Sequence, residues 1–172
     1  MSAITIIKEI ALFVVMFLLQ VLLLNRIALF GIAGPILYIY FVIKLPIGRN
    51  LFYVIISSFL LGLLIDAFLN TPGVNAAATT IVATFRSVIL NLFYSKVDFE
   101  EHRPGIHNFT SAFIKYTVTI VLLHQIILFF IESLTLFNIN LTLIKIGASS
   151  LLTLIIIFAI DAVSIRKENS IG

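Results

Sequence analysis

The feature that most constrains this chain is a series of six apolar blocks separated by polar or helix-breaking residues. Most of the blocks approach or exceed the roughly 20 residues that a helix needs to cross the hydrocarbon core of a bilayer. Runs such as FVVMFLLQVLLL do not alternate apolar with polar residues, as the strands of a membrane barrel do, so we predict helices. The predicted spans are 9–29, 31–46, 51–69, 74–94, 113–137 and 141–165.

The composition agrees with lipid as the main solvent. Hydrophobic residues make up 61% of the 172 residues and charged residues 11%, whereas soluble domains carry about 25% charged residues. Six spans leave no room for a sizeable soluble domain, so we predict one integral membrane domain over residues 1–172. The net charge of +3 does not indicate a nucleic-acid partner, because basic residues in membrane proteins mark cytoplasmic loops.

The first two blocks need separate treatment. The first resembles a signal peptide, but no small-residue cleavage site precedes Asn25-Arg26, so we expect a retained span. The second is only about eleven residues long at its apolar core, 35–45. It reaches spanning length only if the stretch from Ile27 is added, across Gly31 and Gly34-Pro35. We therefore predict a short or broken second helix.

Basic residues set the predicted orientation. With six spans and a cytoplasmic N-terminus, eight basic residues fall on the cytoplasmic side and two, Arg26 and Lys145, fall outside. With five spans this alternation would break after the second block. We therefore predict a multi-pass protein of the bacterial inner membrane with both termini in the cytoplasm. The eight are Lys8, Lys44, Arg49, Lys96, Arg103, Lys115, Arg166 and Lys167.

Polar residues inside the blocks share helix faces. Side chains four residues apart lie on the same side of a helix, and such a stripe is predicted to face the bundle interior. Small and hydroxyl residues on a stripe serve close packing, whereas Asp66 and Arg86 are predicted to be critical for the bundle or to bind a partner. Arg86 lies deeper than Asp66 and is not expected to pair with it. The stripes are Ser58, Gly62, Asp66 and Asn70; Asn75, Thr79, Ala83 and Arg86; His124, Gln125 and Glu132; and Lys145, Ser149, Thr153 and Asp161.

The sequence offers little catalytic chemistry. It has no Gly-rich phosphate loop, no HExxH and no nucleophile elbow, so we expect no enzyme, no cofactor and no catalytic residue. Glu132 and Lys145 lie at one depth on either side of a short turn at 137–140 and are predicted to form an intramembrane ion pair. A metal site is not expected either. The metal-capable residues of the loop 95–109 lack regular ligand spacing; they are Asp98, Glu100, Glu101, His102 and His107.

The unit formed by the third and fourth spans resembles the MreD family of bacterial rod shape-determining membrane proteins. The segment FLLGLLIDAFLNTPGVNAAATTIVATF is similar to the family pattern of a Gly, three apolar residues and an Asp, followed by a Gly-containing turn and a helix of small residues. Gly62, Asp66 and Gly73 match it, and TPGVNAAA followed by Arg86 resembles the Bacteroidota branch. ILYIYFVIKLP, at 36–46, resembles the end of the family's second span. The likeness covers most of the chain in layout, with motif-level detail at 36–86.

This resemblance implies a scaffold of the cell-elongation (rod) complex. Such a protein binds MreC and other rod-complex membrane proteins and helps couple the MreB cytoskeleton to peptidoglycan synthesis and cell shape. The residues expected to be critical for the bundle or for partner binding are then Gly62, Asp66, Gly73, Asn75 and Arg86. The alternative is a substrate-binding membrane subunit of an energy-coupling factor vitamin transporter. The small-xxx-small docking motif usual in the first span of those subunits is absent from residues 12–24.

Overall fold

The computed structural model describes residues 3–27, 34–94, 104–106, 110–133 and 139–168, of which 164–168 are described as backbone only. All regular structure in these residues is helical. The first helix, α1 (Ala3–Leu18), continues into a π-helical turn, Leu19–Leu23, and a 3₁₀ turn, Leu24–Arg26. The helices are α1 (Ala3–Leu18), α2 (Ile39–Lys44), α3 (Leu51–Leu69), α4 (Val74–Phe93), α5 (Thr110–Ser133) and α6 (Ile139–Glu168).

Five of the described helical segments are long and apolar enough to cross a membrane. They confirm the prediction of an all-helical membrane protein. The third predicted span coincides with α3, and the first, fourth, fifth and sixth differ from the observed helical segments by at most six residues at their ends. The segments are Ala3–Arg26, Leu51–Leu69, Val74–Phe93, Thr110–Ser133 and Ile139–Val163.

The predicted second span, 31–46, is not a helix of membrane length. Among its described residues only Ile39–Lys44 is α-helical. The helix stops because Leu45, which precedes Pro46, adopts an extended conformation with ψ of 145°. Six membrane-length helices are therefore not found in the described part of the chain. The segment is instead enclosed by the other helices, since Leu37 to Ile43 are at most 3% exposed.

Contacts between α1 and α3 show how the enclosed segment runs. Near the start of both helices, Glu9 forms an ion pair with Arg49. Towards their ends, the rings of Phe17 and Phe68 lie 5.4 Å apart. The two helices are therefore parallel, and the chain returns between them through residues 34–50. We call the end of the bundle that holds the α3–α4 turn, residues 70–73, the turn end, and the opposite end the loop end.

The polar stripes predicted from the sequence face the interior, with a few exceptions at the ends. Burial confirms this for α3, where Ser58 and Asp66 are at most 3% exposed, although Asn70 at the end of the stripe is exposed. The outward faces carry large apolar side chains, as helices in contact with lipid do. The buried polar residues of the other stripes are Asn75, Thr79, Arg86, His124, Gln125, Ser149, Thr153 and Asp161.

Candidate functional site

Asp66 closes the α3–α4 hairpin. Its carboxylate accepts four hydrogen bonds: from the Thr71 hydroxyl (2.5 Å), from the backbone N–H (3.0 Å) and side-chain amide (2.8 Å) of Asn75, and from the backbone N–H of Ala76 (2.8 Å). The two backbone donors belong to the first turn of α4, whose own N-cap, Gly73, has no side chain to accept them. Asp66 thus caps a neighbouring helix, and its negative charge lies at the positive end of that helix dipole.

Two residues with left-handed backbone make this turn possible. Asn70 ends α3 at φ 54°, and Gly73 precedes α4 at φ 78°. Left-handed conformations are most accessible to glycine and, among other residues, to asparagine. The Gly73 backbone conformation therefore accounts for the Gly-containing turn noted in the sequence.

Gly62 brings α3 and α4 into close contact one turn before Asp66. A Cβ at this position would lie 2.5 Å from Thr79 Oγ1 and 2.6 Å from both the Cα of Ala76 and the carbonyl oxygen of Asn75. The last two atoms are backbone and cannot rotate away. The small residue is therefore required by helix approach, as is common between membrane helices. This approach places Asp66 within reach of the α4 N-terminus.

A chain of hydrogen bonds continues from Asp66 into the centre of the bundle. Asn75 accepts from the hydroxyl of Tyr38 at 2.7 Å, and the Tyr38 oxygen lies 3.2 Å from His124 Nε2. A hydroxyl has one proton, which Tyr38 gives to Asn75, so Nε2 of His124 acts as the donor. The Tyr38 and His124 rings also meet edge to face, with centroids 5.3 Å apart. α3, α4, α5 and the enclosed segment are thus joined through buried polar groups.

The short helix α2 is capped at both ends by other parts of the chain. At its start, Gln20 Oε1 accepts the backbone N–H groups of Leu37 (2.8 Å) and Tyr38 (3.4 Å). At its end, Arg86 donates from Nε to the carbonyl of Val42 (2.9 Å) and from Nη2 to that of Leu45 (2.5 Å). Non-helical backbone at membrane depth is stable only where such partners are supplied. Arg86 therefore serves the interior of the bundle and makes no contact with Asp66.

Charged residues form three ion pairs among the described residues. Lys145 and Glu132 lie 3.5 Å apart at the turn end, and both are partly exposed. The other two pairs lie at the loop end. Asp161 accepts from Lys44 at 2.5 Å, and also from the Tyr40 hydroxyl and the Ile106 backbone. The third pair is formed by Glu9 and Arg49.

The contacts of Gln20, Tyr38, Lys44 and Glu9 were not predicted from the sequence. A glutamine within the apolar run FLLQVLLL was a usable signal, because an amide in lipid needs hydrogen-bond partners. Tyr38 had no comparable signal. The loop residues Asp98, Glu100, Glu101, His102 and His107 lie outside the described residues.

Five residues were predicted to be critical for the bundle or for partner binding, and all of them lie in the α3–α4 unit. One of them, Arg86, makes the contact between this unit and α2. Asp66, Asn75 and Arg86 are at most 7% exposed, which places their side chains in the interior. The arrangement builds a rigid hairpin and encloses a short helix. The chain matches no protein-family model, no curated protein and no solved structure.

Proposed function

We propose that this protein is a non-enzymatic scaffold of the bacterial inner membrane, which joins the rod complex by binding MreC through its transmembrane helices. The observation that carries the proposal is the geometry of the α3–α4 hairpin. Three residues of this hairpin carry the resemblance to the MreD family, and each has a structural role there. Gly62 allows the close approach of α3 and α4, Asp66 caps α4, and Gly73 adopts the left-handed conformation of the turn.

The polar side chains of this unit that were predicted to be critical, Asp66, Asn75 and Arg86, are buried, which suits a scaffold. Asp66, Asn75 and Arg86 bond to groups of the bundle itself. Their role in the proposal is to fix the shape of the hairpin, and the partner contacts its outward face. That face is mainly apolar and carries large exposed side chains, among them Phe59 of α3 and Phe85 of α4. Such a face fits the transmembrane helix of a partner as well as it fits lipid.

In the proposed orientation the loop end faces the cytoplasm and the turn end faces the periplasm. The described basic residues support this assignment, because Lys44 and Arg49 lie at the loop end and Lys115 lies early in α5, whereas Arg26 and Lys145 lie at the turn end. A cytoplasmic loop end puts the bundle in reach of the cytoskeleton, and the periplasmic turn end in reach of wall synthesis.

Copurification tests the proposal in cells that depend on the tagged chain. We expect the unchanged protein to retain MreC. Asp66→Ala should lower the amount of captured MreC and make the cells round, because the hairpin loses the hydrogen bonds that Asp66 accepts from α4. Ser111→Ala is the matched control, since Ser111 is exposed at the start of α5 and lies outside the hairpin. Normal cell shape and normal MreC capture by Asp66→Ala would contradict the assigned role of this residue.

A further inference from the structure

A cavity of about 320 Å³ lies at the turn end, between the ends of the helices. Each long helix, or the turn that continues it, contributes to the cavity wall. Leu24 belongs to the turn after α1, and Lys145 belongs to α6. Small-molecule sites typically occupy about 300–1,000 Å³ and combine an apolar wall with a few polar groups. This cavity has both features. A scaffold needs no such space, so the cavity goes beyond the function proposed above.

The inner polar groups of the cavity wall already bond to one another. Gln20 donates to Asn25 Oδ1 at 2.9 Å and to the carbonyl of Pro35 at 3.1 Å, and its oxygen accepts from Leu37. Tyr38 donates to Asn75. By contrast, Nδ2 of Asn25 is a buried donor that has no hydrogen-bond partner. One donor beside the cavity is therefore unsatisfied, and buried donors normally have an acceptor.

The rim of the cavity carries two opposite charges. Glu132 and Lys145 both line it, with Glu132 Oε1 and Lys145 Nζ 3.5 Å apart and side chains 45% and 27% exposed. A pair this long and this exposed contributes little to stability. A ligand that offers each charge a shorter contact therefore competes with this pair. The Leu128 and Phe129 side chains lie beside the rim and form part of the apolar wall.

We propose that this cavity binds a small zwitterion with an apolar portion. Its primary ammonium contacts Glu132, its acidic group contacts Lys145, and its apolar portion packs on Leu128 and Phe129. A ligand that carries only a negative charge would bring that charge close to Glu132, which repels it. A ligand that carries only a positive charge would bring that charge close to Lys145, which also repels it. Two sources carry this chemistry: an apolar α-amino acid free in solution, and the headgroup of phosphatidylethanolamine.

The test uses the full chain and separates the two sources. In neutral detergent, L-leucine and L-phenylalanine are titrated while the unfolding midpoint is followed, since a ligand of the folded state raises that midpoint. In nanodiscs, phosphatidylethanolamine is compared with phosphatidylcholine, whose quaternary ammonium cannot donate a hydrogen bond. Native mass spectrometry then counts the retained lipid. A midpoint raised by the amino acids identifies the free zwitterion, and selective retention of phosphatidylethanolamine identifies the lipid.

Variants assign the binding to the rim. We expect Glu132→Gln and Lys145→Gln each to weaken the observed binding at least about tenfold, the loss expected for a charge-assisted contact worth about 1.4 kcal/mol. Lys115→Gln, an exposed position on α5 near the loop end, is the matched control and should bind as the unchanged protein does. Because both rim side chains are partly exposed, either variant alone suffices if the other does not fold. Absence of binding by the unchanged protein, or equal binding by the rim variants and the control, would overturn the proposal.

Discussion

Replacing Asp66 by alanine removes the cap of α4 and leaves its first turn without acceptors. The backbone N–H groups of Asn75 and Ala76 lose partners at 3.0 and 2.8 Å, and both residues are buried. A buried donor left unsatisfied costs about 1–3 kcal/mol. Two such donors predict that Asp66→Ala lowers the free energy of unfolding by about 2–6 kcal/mol. Asp66→Asn keeps one acceptor oxygen, so we expect about half of this loss.

Fluorescence-detected size exclusion after heating measures the effect, because it follows the folded, monodisperse fraction of a membrane protein in detergent. At about 2–4 °C per kcal/mol for a domain of this size, Asp66→Ala should lower the unfolding midpoint by roughly 4–24 °C. Thr84→Ala, exposed on α4, should stay within about 0.5 kcal/mol of the unchanged protein. Equal midpoints for Asp66→Ala and Thr84→Ala would refute the capping argument.

The same assay tests the other contacts. Gly62→Ala should cost about 1–3 kcal/mol, because its Cβ would meet the α4 backbone at 2.6 Å; an unchanged midpoint would contradict the close approach. Gly73→Ala should cost about 1–2 kcal/mol through its left-handed φ alone, since the space around it is open. Arg86→Leu should lower folded yield strongly, with Arg86→Lys in between, because the carbonyls at the end of α2 lose their donors. Exchanging the charges, Glu132→Lys with Lys145→Glu, should restore the loss of at most about 1 kcal/mol seen in either single variant; failure to restore it would exclude the pair.

Periodicity was sufficient to predict most of the inward-facing polar residues of α3, α4, α5 and α6, but it assigned no inward face to α1. A polar residue in an apolar helix is costly unless buried with partners, so Ser58, Asp66, Thr79 and Arg86 could be assigned to inward faces from spacing alone. Their burial agrees. The bounds of α3 could also be predicted from the sequence, since polar residues flank this helix on both sides.

The capping role of Asp66 was less accessible to sequence reasoning. A helix cap is sought at the residue that precedes the helix, and here that residue is Gly73. The acceptor comes instead from a residue nine to ten positions earlier. Only the approach of α3 to α4 at Gly62 brings it there, and that approach is a property of packing.

The second predicted span shows the limit more clearly. Its residues were predicted to form a short or broken membrane-spanning helix, and in the structure they are enclosed, with α-helix only at Ile39–Lys44. The enclosed backbone is stable because Gln20 and Arg86 supply partners from 17 and 44 residues away in sequence. Contacts between residues so far apart in the sequence produce no periodic pattern from which they could be predicted. The count of six spans consequently stays a prediction.

The most direct measurement of the proposed function is photo-crosslinking in the native membrane. A benzophenone amino acid is placed at Phe59 or Phe85, on the outward face of the α3–α4 hairpin, and at Ile126, exposed on α5, for comparison. The account predicts an adduct with MreC from the hairpin positions, and loss of that adduct when Asp66 is changed to alanine. An adduct with an energy-coupling transmembrane subunit, or no protein adduct from either hairpin position, would contradict it.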